Sequence, residues 1–164
     1  MKNLIPQRAS KLIIFLSYLT ILTGCDASTS EHLKAYGTGL LTLPTGQEIQ
    51  VIIAQTAAQQ TRGLSKVASA DFDESLGMLF PANHMSARQF WMPETHFDLD
   101  LFFMDANYYI IDVHRGLKHQ SVMGRRSDVP MSKKVFSQHV LELKSGSPLS
   151  KKLEPGMLLK FKVK

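Results

Sequence analysis

The 164 residues, 44% of them apolar, can form one domain with a real core, which excludes a disordered chain. The formal charge of +5 is concentrated at the start: Lys2, Arg8 and Lys11 precede the first acid, Asp26, and without them 16 basic side chains face 14 acidic ones. So small a surplus argues against nucleic acid as a partner, because that binding draws on many phosphate contacts.

The basic start is followed by an apolar run from Leu12 to Leu22 and then by small residues, the order of a signal peptide, here residues 1–24. The run is shorter than the ~20 apolar residues a membrane-spanning helix needs. Leu22-Thr23-Gly24-Cys25 resembles the bacterial lipobox, in which the Cys is acylated, with palmitate-type chains, and becomes the mature N-terminus. Cys25 is the sole cysteine, so a disulfide framework is closed to this chain. Two or three acyl chains hold a protein on a bilayer where one does not. The expected location is therefore the cell envelope, on the outer face of the cytoplasmic membrane, the periplasmic side in a Gram-negative host. Asp26 resembles the inner-membrane retention signal of enteric-type bacteria. Residues 25–37 then read as the lipidated Cys and a flexible tether, and residues 38–164 as a single β-rich domain.

Within that domain, Leu40 to Leu43 and Gln47 to Ala54 read as strands joined by the turn Pro44-Thr45-Gly46. Thr56 with Gln59 has the spacing of a capping box, and Gly63 can end the helix left-handed, which predicts a helix over 57–62. Leu76 to Phe80, Gln89 to Met92, Leu99 to Met104 and Tyr108 to Arg115 have strand composition, the last pair joined by Asp105-Ala106-Asn107. Residues 117–133 read as a long basic loop. Gln138 to Lys144 alternates, with His139, Leu141 and Leu143 on one face and Val140 and Glu142 on the other. Ser147-Pro148 can start a helical turn, Glu154-Pro155-Gly156 is a turn, and Met157 to Val163 reads as a closing strand. The sum is a mostly β fold of the α+β kind: one curled or barrel-like sheet of about eight short strands with one or two short helices.

Arg62-Gly63-Leu64, Leu76-Gly77-Met78-Leu79-Phe80, Phe90-Trp91-Met92, Thr95, Asp98-Leu99-Asp100 and Val140-Leu141-Glu142-Leu143 occur in an order and spacing that resemble one family. This is the small bacterial and archaeal domain called domain of unknown function 192, and the resemblance covers roughly residues 38–164. It implies a compact, mostly β domain that is often exported. The family commonly reads Phe-Trp-Met-Lys-Asn-Thr where this chain has Pro93 and Glu94. It also often has Met and Arg soon after its Gly-Leu, where this chain has Ser65 and Lys66.

The window from Phe90 to Phe103 holds the greatest chemical variety of the chain, including its single Trp. On a strand over 99–104, Asp98 and Asp100 would share a face about 7 Å apart, at ~3.3 Å per residue. That spacing allows acid and base work, or simply an Asp in a turn and an Asp paired to Arg62 or Arg88. Trp91 and Met92 must face opposite ways, and a lone Trp is ordinarily a core residue. Glu94 and Thr95 lie in the turn, where a rigid sheet usually presents its binding groups. The leading expectation is therefore a membrane-tethered module that binds a small polar or envelope ligand in a groove formed by Arg62, Trp91, Glu94, Thr95, Asp98 and Asp100. The alternative is a hydrolase or lyase using the Asp98/Asp100 pair. His84, His96, His114, His119 and His139 show no zinc-motif spacing, and neither a metal site nor a cofactor is expected. His114 with Asp112 is the best titratable pair on one strand face.

Overall fold

The computed structural model describes residues 32–120 and 125–164. The expected signal peptide, Cys25 and the first part of the expected tether lie outside the described residues, as does the middle of the basic loop. Residues 32–36, read above as tether, form a 3-10 turn (His32–Ala35) with Leu33 and Tyr36 buried, so the packed chain begins before Thr38.

Nine strands follow: β1 (Gly37–Thr42), β2 (Glu48–Ile53), β3 (Leu76–Phe80), β4 (Ser86–Arg88), β5 (Leu99–Met104), β6 (Ile110–Leu117), β7 (Val135–Ser137), β8 (His139–Lys144) and β9 (Lys160–Val163). Seven of them make one sheet in the order β6-β5-β8-β3-β2-β1-β9, while β4 and β7 pair separately. Neighbours are antiparallel except β2 and β3. A parallel pair needs a crossover rather than a hairpin, and here the crossover carries the helix α1 (Ala57–Arg62). The capping box forms as expected: the Thr56 hydroxyl accepts from Gln59 N (3.2 Å) and Gln59 Oε1 accepts from Thr56 N (3.0 Å). Gly63 ends the helix at φ 48°, ψ −131°, a region open essentially to glycine.

The sheet curls until its edge strands approach. Tyr109 and Leu158 form an isolated bridge, flanked by Ile110 N to Met157 O (2.8 Å) and Leu159 N to Tyr108 O (3.1 Å). The contact stops at that bridge, so the curl falls short of a closed barrel. Alternation along β5 then separates two cores. Phe102 and Met104 join Leu41, Ile49, Leu79 and Leu141 inside the curl, whereas Leu99, Leu101 and Phe103 pack outward with Phe80, Val140 and the residues that follow α1. Packing is tight at Gly77: a Cβ there would stand 2.8 Å from Leu141 Cδ1 and 3.0 Å from Leu143 Cδ2. Gly77→Ala should cost about 1–2 kcal/mol in chemical denaturation, the usual scale of core overpacking.

The strand expected at Gln89 to Met92 is corrected. Pairing is regular at Ser86–Arg88 and continues only as one bridge, Trp91 to Met131, held by Ser132 N to Phe90 O and Met92 N to Pro130 O. Pro93 and Pro130 supply no N–H at the point where the ladder would extend. The described part of the basic loop over 117–133 includes a 3-10 turn (Arg126–Asp128), and beyond it β7 is a strand that the sequence pattern does not signal.

Candidate functional site

The crossover lays α1 and residues 63–66 over the outward face of the sheet, beside the segment from Phe90 to Thr95. Ser65 Oγ donates to Pro93 O (2.7 Å) and Lys66 N to Glu94 O (2.8 Å), which ties the two segments together. Between them and the sheet lies a narrow cleft of ≈ 30 Å³, with Phe80, Phe90, Met92 and Leu99 as walls, Arg62 and Trp91 at its edge and Glu142 of β8 inside. Trp91 is 40% exposed, so it forms part of the surface of this cleft and is not the core residue its type led one to expect, while Met92 beside it is buried.

Glu142 is the residue the sequence reading did not single out. It is 4% exposed, and its carboxyl makes no hydrogen bond among the described residues. Across the sheet it faces Met78 on β3 and Leu101 on β5. Burial pushes its carboxyl up to about 8, and the Arg88 guanidinium offsets this only in part. Glu142 is thus a neutral carboxylic acid at neutral pH, able to donate an O–H into the cleft. Arg88 itself is fixed by two carbonyls, with Nη1 donating to Gln138 O (2.7 Å) and Phe80 O (3.2 Å). Arg62 stands exposed at the end of α1, and its guanidinium has no ion pair or hydrogen bond among the described residues.

The six expected site residues separate. Arg62, Trp91 and Thr95 line the Glu142 cleft. Thr95 is buried, and its hydroxyl donates to Pro93 O at 3.4 Å, closing the turn from inside the cleft wall. Glu94 instead pairs with Lys66 (3.4 Å) on the far side of the turn. Both of these residues have positive φ, 49° and 62°. The Asn that the family commonly carries at position 94 tolerates that conformation better than Glu does. Glu94→Asn should therefore raise stability by about 0.5 kcal/mol, read as a Tm gain of a degree or two.

Asp98 and Asp100 are held by separate sets of donors. Asp98 accepts from Lys118 Nζ (2.8 Å), His119 N (2.9 Å) and the His119 ring (2.7 Å). Partial burial raises its carboxyl, but these bonds more than compensate and hold it down at about 2. Asp100 lies on the opposite face of β5 from the cleft, toward Phe102, and accepts from Gly116 N (2.6 Å), the Ser150 hydroxyl and Gly146 N (3.4 Å), with Arg115 at 3.5 Å. Gly116, at φ 66°, sits in the β6 bulge opposite Asp100, where the register steps from Leu99 with Leu117 to Leu101 with His114. Burial again opposes ionisation, and the Ser150 and Gly116 hydrogen bonds outweigh it, so this carboxyl too is lowered. Neither Asp is set up as a proton donor. His114 and Asp112 do share a side of β6, where both hold Lys133: its backbone N donates to His114 Nδ1 (2.9 Å) and its Nζ pairs with Asp112. Among the described residues no three His, Cys, Asp or Glu side chains converge as metal ligands.

The fold and the cleft define a small β-rich domain with one crossover helix and a buried acid beneath the turn at Pro93. The model of the DUF192 family, described as "Uncharacterized ACR", matches residues 41–161, and the chain belongs to that family. No curated protein matches the sequence. Two solved structures are similar in fold. One is a "putative transcription regulator" from Sinorhizobium meliloti 1021, at 22% identity and TM-score 0.58, covering 77% of this chain and 94% of that one. The other is a protein of unknown function from Novosphingobium aromaticivorans DSM 12444, at 21% identity and TM-score 0.59, covering 75% and 83%.

Proposed function

We propose that this chain is an envelope lipoprotein, anchored through acylated Cys25, whose β domain binds a small polar ligand in the Glu142 cleft. The observation that carries the binding reading is Glu142: a buried carboxyl turned into an open cleft and lacking a hydrogen bond among the described residues is a polar group whose partner comes from outside the fold. Arg62, Trp91 and Thr95 add a cation, an aromatic face and a rigid turn around it. The regulator description of the Sinorhizobium neighbour is not carried over, because likeness at 22% identity speaks for the fold alone. Nucleic acid has no part in this reading.

Thermal-shift screening of the purified chain against envelope glycans, peptides and small acids should find a ligand that raises Tm by several degrees. The gain should vanish in Glu142→Leu, which removes the acid and fills its space. A screen in which no compound stabilises the wild type, or in which Glu142→Leu responds equally, would contradict the reading. Labelling with radioactive palmitate in the native host should mark the wild type and not Cys25→Ser.

A further inference from the structure

The Glu142 cleft is not isolated. Gln60, Thr61, Phe80, Phe90 and Trp91 line both the cleft and a longer, open trough of ≈ 500 Å³ that runs out between α1 and the segment from His84 to Gln89. One wall of the trough is therefore a helix, and the other includes β4, a strand whose pairing is to β7 alone among the described residues. An extended chain can lie beside such a strand edge, and the flanking Gln60, Thr61, Ser86 and Gln89 offer hydrogen bonds to a polar backbone. The charges decide what such a chain carries at its end. Apart from Glu142, no acid lines either the cleft or the trough, whereas Arg62, Arg88 and His84 do. With Glu142 uncharged, the field in the cleft is positive and favours an anion. An anionic oxygen there can accept the Glu142 O–H and pair with the guanidinium of Arg62, which has no partner among the described residues.

Resting on the binding function proposed above, we infer that the ligand is the free carboxyl end of an extended peptide, its terminal carboxylate in the cleft between Glu142 and Arg62 and its preceding residues in the trough. The size of the cleft sets the division: ≈ 30 Å³ takes a carboxylate group and little more, so the rest of the terminal residue lies in the trough. The charged group acting on Glu142 is Arg88 of β4, Arg62 of α1 lines the same cleft, and β3 and β5 present Met78 and Leu101. Ionising Glu142 would place a second negative charge against the carboxylate, and affinity should fall as pH rises through about 8.

Trp91 is the only Trp, so its fluorescence reports on this site without a label. The probes are two pools of acetylated tetrapeptides randomised at every position with Trp and Tyr left out, one with free C-termini and one amidated, titrated into the full chain in detergent. The free-acid pool should change Trp91 emission saturably, and the amidated pool should bind at least about 10-fold more weakly, the loss expected for one charge-assisted pair. Arg62→Ala should reproduce that loss with the free acids. Glu142→Gln, which keeps a donor, should still bind and should no longer weaken above pH 8. Equal response to both pools, or no response to either, overturns the inference. A glycan or small acid found by thermal shift would leave the binding function standing while the peptide inference falls.

Discussion

Glu142→Gln should stabilise the protein at pH 9 and leave it nearly unchanged at pH 5. In the unfolded chain this carboxyl releases its proton near the ordinary 4.5, while in the fold it holds it to about 8. Between those values the folded state binds more protons than the unfolded one, so stability falls as pH rises. The favourable neutral burial is fully present below about 4.5 and is lost by the time pH passes 8. Gln has the shape of the neutral acid and no proton to lose, so the variant escapes that loss. The difference should reach on the order of 3 kcal/mol at pH 9, or ~10 °C in Tm, because the site is buried and poorly screened. The measurement is Tm against pH for both proteins, in buffers of equal ionic strength. Parallel curves would mean that Glu142 is charged in the fold.

The second large effect belongs to Asp100. Asp100→Asn should lower stability by about 3 kcal/mol, because an amide keeps one acceptor oxygen and its NH₂ must turn either toward the Gly116 N–H on one side or toward the Gly146 N–H and Ser150 hydroxyl on the other, donors that now meet a carboxylate. Arg115 would also lose its nearby charge. The depressed carboxyl fixes the sign with pH. Its contribution is complete above the ordinary value of 3.8 and disappears as pH falls through the lower folded value, so the variant should lack part of the wild-type loss of stability in acid. Urea unfolding at pH 7 checks the size, and a wild-type-like midpoint would free Asp100 from its structural role.

These two carboxyls also mark how far the chain could be read before its fold was known. The alternation of Leu99, Leu101 and Phe103 was legible because a half-buried strand needs period-two apolar spacing, and the capping box of α1 was legible because its bonds are local. The same periodicity set Asp100 with Phe102, on the face away from Leu99 and Leu101. What that pattern could not show is that β6 bulges at Gly116 to hand its N–H to Asp100, since that contact spans 16 residues of sequence. The parallel pairing of β2 and β3 was hidden for a similar reason: a six-residue helix in a β-rich chain looks like an insertion rather than a crossover.

Glu142 escaped notice because alternation placed it, with Val140, on the face opposite Leu141 and Leu143, where an acid is ordinarily solvated. The available signal was its place in Val140-Leu141-Glu142-Leu143, a stretch that matches the family pattern with an acid between apolar residues. Only the fold shows that α1 and the turn at Pro93 cover that face and turn the acid inward. Arg62, Trp91 and Thr95 were found from their surroundings in sequence, but the group they surround was not among the residues chosen with them.

Binding of an anion in the cleft requires a proton-bearing carboxyl at Glu142. The direct measurement is an NMR titration of the Glu142 side-chain carboxyl in the ¹³C-glutamate-labelled chain, assigned by the resonance that disappears in Glu142→Gln. A midpoint near 8 is the predicted result. A midpoint in the ordinary glutamate range would contradict the account, because an ionised Glu142 would oppose an anion where the cleft is argued to receive one.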